Sequence, residues 1–171
     1  MEYITQDGYV STTPSFSKEE YKKHDHKKII AIKYFENLGC HAEETKKLGY
    51  ADSKDVDLLV TVPDGRKFYC DVETKNNWTG PYFTFPDVQC VVRKNKFVGL
   101  LYPFLLFMLN REFTHALLIK GEDMINSPTR EVKNRMQKRK NKKIKKDEPE
   151  PERFSIVQLN KVKFIELKVK I

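Results

Sequence analysis

Two short acidic stretches, Asp55-Val56-Asp57 and Asp71-Val72-Glu73-Thr74-Lys75, flank the turn Val62-Pro63-Asp64-Gly65-Arg66. Carboxylates at that density offer oxygen ligands, which suit a hard divalent cation such as magnesium or manganese. Proline at the second position of a type I turn, followed by a glycine able to take φ > 0, predicts a short hairpin loop in which Val62 faces Arg66. In this register Asp57 lies opposite Asp71 and Asp55 opposite Glu73, with Lys75 following on the same face. Side chains alternate along a strand, so Leu58, Val60 and Val62 share the other face with Phe68, Cys70 and Val72. One face is expected to be apolar and one acidic. Like charges directly opposite destabilise a strand pair. Either a bound cation neutralises them, or the face is solvated and Lys75 is ion-paired to Asp55 or Asp71.

The elements around the hairpin must hold it in place. Ile29, Ala31, Ile32, Phe35 and Leu38 fall at near-helical spacing, which predicts a helix over about 22–38 stopped by Gly39. A second helix is expected from Asp87, after Pro86, with strands over 104–109 and 115–120. On that helix Gln89, Arg93 and Lys96 recur at steps of four and three, making one face that either grips phosphates beside the hairpin or stands in solvent. Between hairpin and helix lie Trp78, Tyr82, Phe83 and Phe85. Phe83 and Phe85 read as core, and Trp78 is the candidate to stack on an unpaired base.

A helix, a strand carrying Asp57 within "DVDLLV", a strand carrying Glu73 and Lys75 within "DVETK", then a helix and further strands follow one another. In this order the chain resembles the PD-(D/E)XK nuclease superfamily over about 22–120. The resemblance implies a restriction-endonuclease-like core in which Asp57 and Glu73 are metal ligands and the Thr74 carbonyl completes the protein's share of the coordination. It further implies that Lys75 steadies the attacking water, with magnesium or manganese as cofactor. Many members also carry a glutamate on the first helix, about three turns before its terminal glycine. Aligning "KYFENLG" puts Lys28 at that position, which leaves Asp25 or Glu20 as substitutes and Asp55 as a further candidate ligand. Glu36 reads as a surface charge. The missing helix acid bears on a second ion rather than on the first.

The residue types match the chemistry. Phosphodiester hydrolysis develops negative charge on the equatorial oxygens and needs a deprotonated water, and a divalent ion serves both ends by acting as Lewis acid and lowering the pKa of bound water. Lys75, two positions after Glu73, can hydrogen-bond the nucleophile or offset charge at the scissile phosphate.

Charge points to the same partner. The 171-residue chain carries a formal net charge of +8, and residues 130–146 hold ten lysines and arginines against one glutamate, so the remainder is near neutral. A run containing Lys138, Arg139, Lys140, Lys142 and Lys143 can neutralise phosphates and release counterions, giving salt-sensitive affinity. It can equally be a solvated arm. The acidic, proline-bearing stretch 147–152 reads as a linker able to fold back on it. DNA is the expected partner, with RNA left open.

The length fits a single domain over 1–171, with a core at about 22–120, a basic insertion at about 127–152 and closing strands over 153–171. In that last segment, alternation over 161–170 predicts an edge strand. The longest apolar run, 97–109, is broken by Gly99, Tyr102 and Pro103 and is shorter than the roughly 20 residues a bilayer span requires. No membrane association is expected. The opening residues lack a charged start followed by an apolar stretch, so the expectation is a cytoplasmic, unsecreted protein. Cys40, Cys70 and Cys90 are too widely spaced for a disulfide framework or a zinc knuckle. His24 and His26 on a helix point apart. No glycine-rich phosphate loop, nucleophilic serine motif or repeat is present.

The sequence therefore predicts an α/β domain, with a central mixed sheet flanked by helices and a basic insertion before the last strands, acting as a metal-dependent deoxyribonuclease. Two other readings stay open. One is a nucleic-acid-binding module that keeps the nuclease-like fold with weak or no cleavage; the other is an interaction protein whose acidic hairpin is a solvated face. A homodimer is compatible with each.

Overall fold

The computed structural model describes residues 3–4, 10–11, 18–45, 56–132 and 152–168, and side chains over 26–45, 56–131 and 152–168. Asp55 and the basic run with Lys138, Arg139, Lys140, Lys142 and Lys143 lie outside the described residues, as do the side chains of Glu20, His24 and Asp25. The backbone runs β1 (Tyr3–Ile4), β2 (Val10–Ser11), α1 (Lys18–Asn37), β3 (His41–Glu44), β4 (Leu58–Thr61), β5 (Lys67–Lys75), β6 (Asp87–Val91) and a 3-10 helix (Val92–Phe97). It continues through β7 (Phe104–Asn110), β8 (His115–Lys120), α2 (Gly121–Ile125), β9 (Thr129–Val132), β10 (Glu152–Gln158), a 3-10 turn (Leu159–Lys161) and β11 (Lys163–Glu166).

The hairpin closes as its residues dictate. Gly65 takes φ +88°, its N–H donates to the Val62 carbonyl at 2.9 Å, and the Val62 N–H donates to the Arg66 carbonyl at 2.9 Å. Asp64 Oδ1 accepts the Arg66 N–H at 3.0 Å, which fixes the turn. β4 and β5 then pair Leu58 with Cys70 and Val60 with Phe68, the expected register. Gly39, at φ +81°, ends α1.

Among the described residues the main sheet has six strands in the order β11-β8-β7-β5-β4-β3 and is mixed, because β5 and β7 are parallel while the other pairs are antiparallel. A parallel pair at the centre needs cover on both faces. On one face Ile30, Ala31 and Phe35 of α1 pack against Leu58, Val60, Cys70, Val72, Phe107 and Leu109. On the other, Leu59, Tyr69, Leu106 and Met108 meet Val88, Cys90, Val157, Phe97 and Met124. That second layer is a three-stranded antiparallel sheet, β6-β10-β9, together with the 3-10 helix and α2. The expectation of one apolar and one acidic hairpin face is thus corrected. Leu59 and Tyr69 lie buried on the acidic side, and the acids are confined to one end of that face.

The expected second helix is also corrected. Val88 and Cys90 are buried while their neighbours are less so, a period of two, and β-branched Val88, Val91 and Val92 favour extended backbone. β6 accordingly pairs with β10, and only six residues of 3-10 helix follow. The flanking helices reduce to α1 on one face and short elements on the other. β11 is the edge strand anticipated, short and with Lys163 and Glu166 exposed.

Candidate active site

β5 outruns its neighbour. β4 pairs only with Lys67 to Cys70, whereas β7 accompanies β5 from Tyr69 to Lys75. From Asp71 onward, the β4 side of β5 therefore has no strand partner among the described residues. Asp57, the residue just before β4, fills the gap with its side chain: Oδ2 accepts the Val72 N–H at 2.9 Å and replaces the missing ladder bond. Its backbone is held in turn, since the Asp57 carbonyl accepts the Thr45 N–H at 3.2 Å and the Thr45 hydroxyl donates to the Val56 carbonyl.

Into this notch come cations from both layers. From α1, the Lys28 ammonium stands 3.3 Å from Asp57 Oδ1. From the 3-10 helix, Lys94 Nζ bonds Asp71 Oδ2 directly and lies 3.2 Å from Glu73 Oε1. Lys27 is half-buried beside the same group; burial lowers its pKa, the Asp57, Asp71 and Glu73 charges oppose that shift, and Lys94 adds to it. Among the described residues Asp71 is the most enclosed carboxylate, 2 % exposed. Burial and the neighbouring Asp57 charge push its pKa up to about 6, although Lys94 pulls the other way. The carboxylates are therefore not a solvated face. Asp71, Lys94 and Lys27 were missed as site residues; Asp71 was legible from the register, whereas Lys94 was hidden by reading 87–96 as a helix.

Lys75 follows Glu73 on the same strand face but turns away from the carboxylates. Its ammonium sits 4.6 Å from the Phe85 ring centroid, and burial lowers its pKa while Cys90 and Asp87 raise it. Of the expected ion-pair partners, Asp71 is taken by Lys94, and Asp55 lies outside the described residues. Thr74 lies in the ladder opposite Leu109. Beyond Lys75 the chain is tied down: the Trp78 N–H donates to the Lys75 carbonyl at 3.0 Å, and the Arg111 N–H donates to the Trp78 carbonyl at 2.9 Å. Fully buried Asn110, opposite Lys75, uses its amide to bond the Gly80 carbonyl at 3.1 Å and its Oδ1 to accept the Thr114 and His115 N–H groups.

No family model, curated protein or solved structure matches this chain.

The expected nucleic-acid contacts are rearranged. Gln89 is on β6, opposite Ile156, whereas Arg93 and Lys96 are exposed on the 3-10 helix, so the three share no helix face. Trp78 is a core residue, 1 % exposed, with its ring set edge-on to Phe83 at 5.2 Å and to Phe164 at 6.4 Å. An indole enclosed in this way offers no face to a base. The strands that lead into and out of residues 133–151 are themselves placed: Val132 pairs with Glu152, and Phe154 pairs with Val91. That segment leaves and rejoins the small sheet at the end where the Lys94-bearing 3-10 helix begins.

Asp57, Asp71 and Glu73 present only oxygen donors, the set a magnesium or manganese ion takes. Among the described residues no three His, Cys, Asp or Glu side chains already converge as a cage; these three are turned to ammonium groups and a backbone N–H. The donor chemistry fits such an ion, and an ion would meet those lysines first.

Proposed function

We propose that the protein is a divalent-metal-dependent nuclease that hydrolyses DNA, built on a restriction-endonuclease-like core. The observation that carries the reading is the gathering of Asp57, Asp71 and Glu73 where β5 outruns β4. Enclosing Asp71 beside two half-buried carboxylates costs stability, and perturbed titratable groups cluster at functional sites. Burial first, and the Asp57 charge second, raise the pKa of Asp71 although Lys94 opposes them.

Asp57 and Glu73 would hold the ion, with the Thr74 carbonyl beside them. A bound magnesium or manganese would supply Lewis-acid stabilisation and a water of lowered pKa. Lys75, which lies against Phe85, would swing back toward Glu73 to donate to the attacking water or offset charge on the phosphate. Arg93 and Lys96 lie on the element that brings Lys94 to the site, and the basic run is tethered at the same end, so phosphate contacts would gather there.

A second reading has an observation of its own. Lys28 against Asp57, and Lys94 against Asp71 and Glu73, neutralise the group without any metal. This favours a nucleic-acid-binding module with weak or no cleavage. The two separate in one experiment: labelled linear, circular and branched DNA incubated with the purified chain, with and without magnesium or manganese, beside Asp57→Ala and Glu73→Ala. The nuclease reading expects metal-dependent cutting that both substitutions abolish. Retained DNA binding without cutting in any metal would leave the binding module.

A further inference from the structure

Lys27 stands on the face of α1 that packs against the sheet. It precedes Ile30 by three residues, Ala31 by four and Phe35 by eight, the spacing of one helix stripe, and all three of those side chains are buried against the main sheet. Lysine belongs on the outer face, where Lys33 is exposed. An apolar residue at 27 would extend the stripe by one turn. Instead a half-buried ammonium is carried to the notch, where it feels the charges of Asp57, Asp71 and Glu73. Two other lysines there are committed to contact ion pairs, Lys28 with Asp57 and Lys94 with Asp71 and Glu73. Lys27 makes no such pair among the described residues. Burial disfavours its charge more than the three acids favour it. An ammonium held out of water without a contact partner costs stability, and its donors are left for an acceptor from outside the chain.

We propose that Lys27 is a catalytic residue that holds the scissile phosphate: from α1, its ammonium donates to a non-bridging oxygen of a phosphodiester lying across the notch where β5 outruns β4. The inference rests on the nuclease reading above. Lysine meets phosphate as a point charge on a flexible stem, with no fork to align. Asp57, Asp71 and Glu73 against Lys27, Lys28 and Lys94 make three negative charges against three positive, so an entering phosphate does not face an uncompensated acidic cluster. In hydrolysis the water oxygen bonds to phosphorus as the bond from phosphorus to one sugar oxygen breaks. That oxygen leaves with one of the water's protons, and the other proton stays on the new phosphate monoester. Charge gathers on the non-bridging oxygens in between, and a donor set against one of them stabilises that state more than the substrate. Lys27 keeps its proton throughout.

The test uses the full chain, magnesium and two substrates: labelled duplex DNA, and bis(p-nitrophenyl) phosphate, a small diester that offers a scissile phosphate without flanking backbone. Lys27→Met should slow cleavage of both by about a hundredfold, while DNA affinity, to which one charge contributes little, changes far less. Lys27→Arg, which keeps the charge, should recover most of the loss on both substrates. Lys33→Met, on the outer face of α1, should change neither rate. Calorimetric titration of manganese separates a touch on the phosphate from an effect through the acids: Lys27→Met should bind the ion no more weakly than wild type, and excess metal should not restore its rate. Should Lys27→Met fail to fold, or wild type leave the small diester uncut, reductive methylation of the wild-type chain provides the answer. A short duplex bound in calcium should protect Lys27, read by mass spectrometry. A loss confined to DNA makes Lys27 a remote backbone contact and overturns the inference alone, as do a loss that excess manganese repairs, a wild-type rate in folded Lys27→Met, or unprotected Lys27. A wild-type chain that cuts neither substrate in magnesium or manganese overturns the nuclease reading and this inference with it.

Discussion

The Lys28 ammonium and the Asp57 carboxylate stand 3.3 Å apart, bridging α1 and the residue that precedes β4. The family resemblance would put an acid at this helix position, to add a ligand beside Asp57. A cation is there instead, and it binds the acid it would otherwise have joined. The helix thus contributes positive rather than negative charge to Asp57.

That pair is only partly exposed, so it should be measurable. Lys28→Met leaves Asp57 with the Val72 N–H alone and should lower the stability of the metal-free protein by about 1–3 kcal/mol. Urea unfolding in chelator reads it. Lys28→Glu should cost more, with part of the loss restored by manganese. A Lys28→Met midpoint equal to wild type would mean that the ion pair contributes nothing.

Asp71 predicts the pH dependence. Its folded pKa, about 6, lies above the ordinary 3.8 of the unfolded chain. Between those values the folded state holds a proton that the unfolded state has released. The contribution of this group is therefore full below about pH 4 and is lost as pH rises through about 6. Tm measured from pH 4 to 7 in chelator should fall more steeply in wild type than in Asp71→Asn. Parallel profiles would remove Asp71 as the source.

Lys75 should separate rate from binding. One phosphate-facing charge is a small part of total DNA affinity, so Lys75→Ala should retain fold and binding and lose most cleavage under single-turnover conditions. Near wild-type cleavage would reduce Lys75 to packing beside Phe85.

Trp78 should behave as core. Trp78→Ala is expected to cost about 3–5 kcal/mol, read by thermal or urea unfolding. A stable Trp78→Ala chain with selectively lost single-strand affinity would return the residue to a substrate role.

The run 133–151 should set salt sensitivity. Neutralising Lys138, Arg139, Lys140, Lys142 and Lys143 together should flatten the slope of log affinity against log salt by about 0.9 per lost phosphate contact on duplex DNA, with manganese affinity unchanged. An unchanged slope would mean that the run never meets the backbone.

Much of this arrangement was legible because local chemistry dictates it. The Pro63-Asp64-Gly65 loop sets the register that opposes Asp57 to Asp71, and the spacing of the apolar residues in α1 ends at Gly39 as read. What stayed hidden depended on partners far along the chain. β6 is extended because β10, more than sixty residues later, pairs with it, and the local valines that favour extended backbone do not reveal that partner. The same misreading concealed Lys94. Trp78 is enclosed by Phe83 and by Phe164 of the last strand, a contact no window around residue 78 contains. Lys28 was visible as the departure from the family pattern, but its bond to Asp57 required the fold.

Val132 and Glu152 face one another across β9 and β10, so the intervening residues begin and end on the same rung of a ladder. Chain inserted or removed between two such points leaves both strands where they are, and doubling the length of a closed loop costs only about 0.6 kcal/mol. The amount of positive charge carried there can thus drift over generations while the two strand ends keep their register. On the reading proposed above, selection could tune how firmly DNA is held as a property separate from whatever happens at Asp57.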